Sequence, residues 1–151
     1  MSYLGKFLKD VEKFNEMYKL PNNDTLTPLG AARIKNFMDI LNEEVQEGND
    51  LLSSMDFYSH DEIPTLSNED AAELADWLGD IIIYCASEAR RWGIPLDKTL
   101  KIIMESNFSK LDEYGNPIYD ERGKVLKGPN YWKPEPKLTK MLSKPKTKKN
   151  K

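Results

Sequence analysis

The chain has 151 residues, of which 39% are hydrophobic, and it carries a formal net charge of -3. This length favours one domain with a hydrophobic core, and no stretch approaches the roughly 20 apolar residues that span a bilayer. The single cysteine, Cys85, excludes a disulfide within the chain. The charged N-terminal stretch lacks the apolar segment of a signal peptide, so we expect a cytoplasmic protein without a membrane partner.

Positive charge is concentrated at the end of the chain. The last fifteen residues contain seven lysines and no acid, whereas residues 1–136 contain 15 basic and 25 acidic side chains. An acidic body is a poor surface for nucleic acid, so we do not expect a nucleic-acid partner. Residues 137–151 are predicted to form a basic, flexible tail.

The first half of the chain has the apolar spacing of two helices. Residues three and four positions apart predict the first helix from Tyr3 to Tyr18. The second is predicted to begin with Thr27 as its N-cap and Pro28 in the first helical position. It is expected to end near Gly48, where a polar loop begins that reaches Leu66.

Two further helices are predicted in the middle of the chain. Ser67 is the expected N-cap of the third helix, because Asp70 follows three positions later as in a capping box. This helix is expected to end at about Trp92. The fourth helix is predicted to open at Pro95 and to end near Leu111.

The composition changes after the fourth helix. Two short extended pieces, around Ile118 and Val125, are joined by the turn-like sequence DERG. They predict a hairpin-like arm over residues 113–136 that either covers a site or packs as a surface appendage. The predicted fold is therefore all-α, with a helical domain over residues 1–112 to which this arm belongs.

The second predicted helix carries three carboxylates close together. Glu43, Glu44 and Glu47 fall within an arc of about 100° on a helix. Taken alone, such an arc is typical of a solvent-exposed face.

The acids of the third helix have a different setting. Glu73, Asp76 and Asp80 lie within about 60° of one another, and the remainder of the helix is apolar on nearly all sides. Such a helix is central in its fold, so its polar strip is expected to face a polar interior site. A divalent cation relieves repulsion between close carboxylates, and oxygen-only ligands suit Mg²⁺ or Mn²⁺.

Other catalytic and metal chemistries do not fit the composition. The only histidine, His60, lies in a loop, whereas zinc sites need Cys and His clusters and di-iron bundles need Glu-x-x-His pairs. The same shortage of histidine argues against a Ser–His–Asp or Cys–His nucleophile. Neither a Walker A nor a Rossmann glycine loop is present.

The order of these motifs resembles that of a known superfamily. Glu43-Glu44-x-x-Glu47 followed by Glu73-x-x-Asp76 resembles the all-α nucleoside triphosphate pyrophosphohydrolases, which include MazG-like proteins, dimeric dUTPases and phosphoribosyl-ATP pyrophosphohydrolases. VEKFNEMYKLP is similar to the first-helix motif of that superfamily, and SNFSK is similar to its Asn-x-x-Lys. The resemblance covers about residues 8–112.

The resemblance implies a four-helix bundle that forms a homodimer or homotetramer and cleaves nucleoside triphosphates between the α and β phosphates. Mg²⁺ would be the cofactor, with Mn²⁺ as a possible substitute, and Glu43 would act as the general base. The implied metal ligands are Glu44, Glu47, Glu73 and Asp76, with Asp80 behind them. Asn107 and Lys110 would hold phosphate or sugar. Asn15, where the family often has histidine, would contact the substrate.

Two alternatives remain open from the sequence. The first is a phosphoribosyl-ATP pyrophosphohydrolase, which performs the same chemistry on a different substrate. The second is a non-catalytic helical oligomerisation module in which the acids bind metal without turnover. Because all five motif acids are present, the catalytic interpretation is favoured.

Overall fold

The computed structural model describes residues 1–58 and 60–144, and this part of the chain is mostly helical. Its helices are α1 (Tyr3–Met17), α2 (Ala31–Ser54), α3 (Asn68–Trp92), α4 (Leu96–Phe108) and α5 (Glu135–Leu142). The same residues contain isolated antiparallel bridges and no β-sheet, so the predicted all-α class is confirmed. None of the helices in these two ranges is long and apolar enough to cross a membrane.

The chain divides into two compact units. The first, Phe7–Gly93, contains most of α1 and all of α2 and α3; the second combines Met1–Lys6 with Ile94–Lys151. Both acidic sets lie in the first unit. The packing of a four-helix bundle involves both units and stays a prediction, as do the domain boundaries at residues 112 and 136.

A buried polar contact joins α1 to α3. The Asn15 side chain is 0% exposed, and its Nδ2 donates to the carbonyl oxygens of Pro21 and Ser87, each at 3.2 Å. Ser87 Oγ donates in return to Asn15 Oδ1 at 2.6 Å. Ala86 and Ala89 of α3, near Ser87, are buried as well, and the hydrogen bonds of Asn15 join α1 to this buried part of α3.

An ion pair joins α2 to α3. Arg33 Nε donates to Glu88 Oε1 at 3.0 Å, and Arg33 Nη2 donates to Glu88 Oε2 at 2.8 Å. The indole Nε1 of Trp92 also donates to Glu88 Oε1, at 2.9 Å. Glu88 is buried, so these donors provide the hydrogen bonds that its carboxylate would lose on leaving water. Sequence reasoning did not identify this contact.

The predicted start of α2 is wrong by about one turn. The helix begins at Ala31, after Gly30, whose φ of 87° is readily adopted only by glycine. The Thr27 amide donates to the Trp92 carbonyl and its hydroxyl donates to the Thr25 carbonyl, both at 2.8 Å. Thr27 therefore belongs to a turn held against the end of α3 and does not cap α2.

The predicted end of α2 at Gly48 is also wrong, since the helix continues to Ser54. A Cβ atom added at Gly48 would lie 2.6 Å from Cζ2 of Trp77, which is closer than a side chain permits. This glycine therefore allows a tight approach between α2 and α3 instead of ending the helix.

Both predicted ends of α3 are confirmed. Ser67 Oγ accepts a hydrogen bond from the Asp70 amide at 3.1 Å, as expected for an N-cap. Gly93 ends the helix with a φ of 70°, and its amide donates hydrogen bonds to the carbonyl oxygens of Ala89 and Arg90.

In the second unit, α4 packs against α5 and two similar turns lie between them. Asp112 Oδ1 accepts hydrogen bonds from the amides of residues 114 and 116. Asp120 Oδ1 likewise accepts hydrogen bonds from the amides of residues 122 and 124. The described part of the predicted hairpin-like arm contains one isolated antiparallel bridge, Tyr119–Val125.

Helix α5 was not predicted from the sequence. It occupies Glu135–Leu142, a stretch that we assigned partly to the arm and partly to the tail. Pro134 before the helix and Glu135 in its first turn are local signals for a helix start. Residues 145–151 of the predicted tail lie outside the described residues.

Candidate functional site

The acids of α2 and α3 meet at one cavity of about 300 Å³ in the first unit. Its lining combines carboxylates from both helices with two apolar side chains. The lining residues are Glu47, Asp50, Leu51, Glu73, Asp76, Trp77 and Asp80. Glu47 of the α2 set and all three acids of the α3 set therefore contribute to the same surface, whereas Glu43 and Glu44 do not line it.

Glu44 is the buried member of the α2 set. Its side chain is 5% exposed, and its Oε2 atom has no hydrogen-bond partner. Burial raises the pKa of Glu44 above its ordinary value, and the charges of Glu47, Asp80 and Glu43 raise it further, as does a hydrogen bond with the Glu47 side chain that favours the protonated form. A buried carboxyl oxygen of this kind is satisfied by a proton or by a cation.

Asp80, which we predicted to lie behind the metal ligands, lines the cavity and affects the pKa of Glu44. It is the α3 carboxylate whose charge raises the pKa of Glu44. It also lines the cavity together with Glu73 and Asp76. Asp80 is therefore a candidate site residue on the same grounds as Glu73 and Asp76, the other acids of α3.

Tyr84 lies one helical turn beyond Asp80, and the charges of the same carboxylates affect the pKa of its phenol. Tyr84 is 40% exposed, but partial desolvation raises the pKa of its phenol, and the charges of Glu44, Asp80 and Glu47 add to the shift. Sequence reasoning missed this residue. Its four-residue spacing from Asp80 was the signal that could have found it.

Trp77 is fixed against the backbone of α2. Its indole Nε1 donates to the Glu44 carbonyl oxygen at 2.8 Å, and its ring lies against the Cα of Gly48. It lines the cavity beside Leu51. Trp77 is therefore both a contact between helices and part of the wall of the site.

The three residues predicted to contact the substrate, Asn15, Asn107 and Lys110, do not line this cavity. The Asn15 amide group is fully buried and is already bonded to Pro21 and Ser87, so we assign it a structural role. Asn107, at the end of α4, is exposed, and Lys110 is partly exposed. Both belong to the second unit, and their contact with a substrate stays a prediction.

The donor atoms fit a hard divalent cation. In residues 1–58 and 60–144, no group of three or more His, Cys, Asp or Glu side chains is already gathered in a metal-binding arrangement. The lining nevertheless offers carboxylate oxygens from both helices, which are the ligands that Mg²⁺ prefers. The buried Glu44 Oε2 is an additional oxygen that a cation would satisfy.

Comparison with known proteins gave no match, either to a protein-family model or to a curated protein. The resemblance to the all-α pyrophosphohydrolases therefore depends on the order and spacing of the motifs in the sequence.

Proposed function

We propose that the protein is a Mg²⁺-dependent nucleoside triphosphate pyrophosphohydrolase, which converts a (d)NTP to the (d)NMP and pyrophosphate. The observation that supports this proposal is the cavity between α2 and α3, two of whose lining carboxylates, Glu47 and Asp80, raise the pKa of the buried Glu44. A cavity rich in carboxylates repels a triphosphate unless cations are present. The type of reaction, hydrolysis between the α and β phosphates, is proposed from the order of the acidic motifs on α2 and α3.

The residues proposed to hold Mg²⁺ or Mn²⁺ are Glu44 and Glu47 on α2 with Glu73 and Asp76 on α3. When bound, the metal supplies positive charge to the phosphate oxygens and lowers the pKa of a water molecule. Asp80 is proposed to stand behind these ligands, where its negative charge adds to the demand for a cation beside Glu44.

Glu43 is the proposed general base. It is exposed, next to Glu44, and close enough to influence the pKa of that residue. It would accept a proton from the water whose oxygen forms the new bond to the α phosphorus. The bond between the α phosphorus and the bridging oxygen then breaks, and pyrophosphate leaves on the opposite side.

Pyrophosphate release from a panel of NTPs and dNTPs, with and without Mg²⁺, tests the function directly. We expect a nucleoside monophosphate and pyrophosphate to form in a 1:1 ratio, and only when Mg²⁺ is present. Phosphoribosyl-ATP in the same panel tests the first alternative. If no substrate in the panel releases pyrophosphate, the non-catalytic alternative replaces this proposal.

Metal binding is expected to depend on both helices. Glu47→Gln and Asp76→Asn should each weaken Mg²⁺ or Mn²⁺ binding, because each removes a charged oxygen ligand from a shared site. Isothermal titration with Mn²⁺ measures this change. Each substitution also relieves repulsion between carboxylates, so the stability of the metal-free protein should hold or rise.

A matched control for these variants is Glu16→Gln. Glu16 is an exposed carboxylate on α1 and does not line the cavity, so its neutralisation should leave metal affinity unchanged. If Glu47→Gln and Asp76→Asn both bind Mn²⁺ like the parent protein, the proposed metal site is wrong.

We also propose that the chain forms a homodimer or homotetramer through exposed apolar residues of α2 and α3. Met38 and Ile82 are 57% and 60% exposed, and Leu52 is 67% exposed. Few large apolar side chains of the first unit are buried, so association would remove more apolar surface from water.

Ile82→Glu should convert this oligomer to a monomer, because a carboxylate in an apolar interface loses its hydration. Light scattering at micromolar concentration measures the change. Tyr3→Glu is the control, since Tyr3 is 89% exposed and belongs to the other unit. A parent protein that is already monomeric at this concentration contradicts the proposal.

A further inference from the structure

The two compact units carry opposite charge. Phe7–Gly93 contains 7 basic and 18 acidic side chains, a net charge of -11, whereas the remaining residues contain 15 basic and 7 acidic side chains, a net charge of +8. The acidic body from which we expected no nucleic-acid partner is therefore the unit that holds the cavity. The second unit has the positive charge that attracts a polyanion.

Lysines predominate between residues 127 and 144, where the only acid is a single glutamate. We call the five lysines of this stretch the lysine cluster. Its members are Lys127, Lys133, Lys137, Lys140 and Lys144. All five are exposed, and none of them forms an ion pair within residues 1–58 and 60–144. The described part of the protein therefore leaves their charge without a counter-ion.

Two neighbouring aromatic rings position two of these lysines. Lys137 Nζ lies 3.6 Å from the centroid of the Trp132 ring, and Lys127 Nζ lies 4.9 Å from that of Tyr131. An ammonium group held against a ring can still donate hydrogen bonds on its other side. Because the rings already restrict these side chains, binding of an anion costs them less conformational entropy.

The backbone that carries the two rings is bonded to the end of α4. Ser106 Oγ donates to the Trp132 carbonyl oxygen at 2.9 Å, and the Trp132 amide donates to Ser109 Oγ at 3.2 Å. The Gly128 amide donates to the Lys110 carbonyl oxygen at 2.8 Å. The lysine cluster is therefore supported by a helix of the second unit, as a preorganised binding surface requires.

Helix α5 presents lysines without an exposed apolar face. Lys137 and Lys140 lie within about 60° of each other on this helix. Its apolar side chains Leu138, Met141 and Leu142 are half-buried, and the helix packs against α4. A helix that binds a membrane surface needs an exposed apolar face as well as basic residues. The composition of α5 therefore favours a soluble polyanion over a lipid surface.

An exposed aromatic ring near the cluster favours a single-stranded nucleic acid among the polyanions. Tyr119 forms an antiparallel bridge with Val125, two residues before Lys127, and its side chain is 58% exposed. Proteins that bind single strands combine positive charge with aromatic side chains on which the bases stack. The bases of a duplex are already stacked on one another and are not open to this contact.

We propose that the lysine cluster binds the phosphates of a single-stranded nucleic acid, and that a base of the strand stacks on Tyr119. Contacts to phosphates carry no sequence information, so binding is expected to be independent of sequence. Residues 145–151, which lie outside the described residues, add four lysines to the same end of the chain. The inference does not depend on the proposed reaction, whose acids belong to the other unit.

Fluorescence anisotropy of a labelled oligothymidylate of about 16 nucleotides measures binding to the full chain between about 50 and 200 mM NaCl. The double variant Lys137→Gln, Lys140→Gln should bind about 25-fold more weakly near 0.1 M salt. It should also lower the slope of log K against log salt by about 1.4, because each phosphate contact on a single strand contributes about 0.7. An oligouridylate of the same length should behave alike, since RNA and DNA share phosphates and base faces.

Matched variants separate the cluster from the total charge and the ring from the phenol. Lys13→Gln, Lys35→Gln removes the same charge from two exposed lysines of the acidic unit and should change neither affinity nor slope. Tyr119→Ala should weaken binding of the single strand at least about fivefold, whereas Tyr119→Phe keeps the ring and the affinity. Binding of a duplex of the same length should not depend on Tyr119.

The inference is overturned if the parent chain does not bind the oligothymidylate at the lowest salt, or if the lysine double variant binds it like the parent. If Tyr119→Ala binds the single strand like the parent, the base contact is wrong. Cosedimentation with phosphatidylserine-containing vesicles, together with no binding of the oligonucleotide, would assign the cluster to a lipid surface instead. Loss of self-association in the lysine double variant, again without oligonucleotide binding by the parent, would assign it to the acidic unit of a second copy.

Discussion

Replacement of Glu43 by Gln is expected to reduce turnover by about 10²–10⁴-fold, or roughly 3–5 kcal/mol in the barrier. The amide keeps the shape of the side chain but cannot accept the proton of the attacking water. The four proposed metal ligands are unchanged, so Mg²⁺ affinity and the apparent affinity for nucleotide should change little. Steady-state pyrophosphate release and Mn²⁺ titration measure the two quantities on the same protein.

Different results would assign Glu43 differently. If Glu43 is a metal ligand, metal affinity should fall together with the rate, and excess Mg²⁺ should partly restore activity. If neither quantity changes, Glu43 belongs to the solvent-exposed face of α2, and the general-base assignment is wrong. Asp39→Asn, one turn earlier on the same helix, is the control for a general effect of lost negative charge.

Replacement of Glu88 by Ala is expected to lower the free energy of unfolding by about 3–5 kcal/mol, the usual cost of removing one partner of a buried ion pair. Arg33 loses its bidentate contact and Trp92 loses the acceptor of its indole N–H. The Arg33 side chain is only 17% exposed, so water replaces the lost carboxylate incompletely. Urea unfolding at neutral pH, followed by circular dichroism, measures the change.

The double variant Arg33→Met, Glu88→Gln distinguishes an ion-pair effect from a packing effect. Removal of both charges leaves Arg91, which lies 3.9 Å from Glu88 Oε2, as the one guanidinium that loses a partner, so the double variant should be more stable than Glu88→Ala. A loss of less than about 1 kcal/mol in Glu88→Ala would show that the pair behaves like an exposed salt bridge.

Sequence reasoning predicted the helix ends that depend on local contacts and missed those that depend on distant ones. Ser67 and Gly93 end α3 through hydrogen bonds to residues within four positions, and such signals are visible in the sequence. Thr27 and Gly48 were misread as ends of α2. Their partners, the carbonyl of residue 92 and the ring of residue 77, are far away in the chain.

The same distinction applies to the site. The helical spacing of the acids predicted which carboxylates of α3 share a face, and all three line the cavity. It did not identify Trp77 as part of the wall, because an aromatic residue on an apolar helix is equally compatible with a buried position. Asn15 was assigned to substrate from its place in a motif, and the motif contains no information about its complete burial.

The Asn15–Ser87 contact also has a consequence for the order of folding. It joins residues 72 positions apart, and the closure of such a loop costs about 4 kcal/mol of chain entropy before any contact offsets it. The contact of Trp77 with the Glu44 carbonyl, between α3 and α2, spans 33 positions, so its loop closure costs about 0.7 kcal/mol less. We therefore expect α1 to dock late, onto a preformed α2–α3 pair, so that weakening of the Asn15 contact accelerates unfolding more than it slows folding.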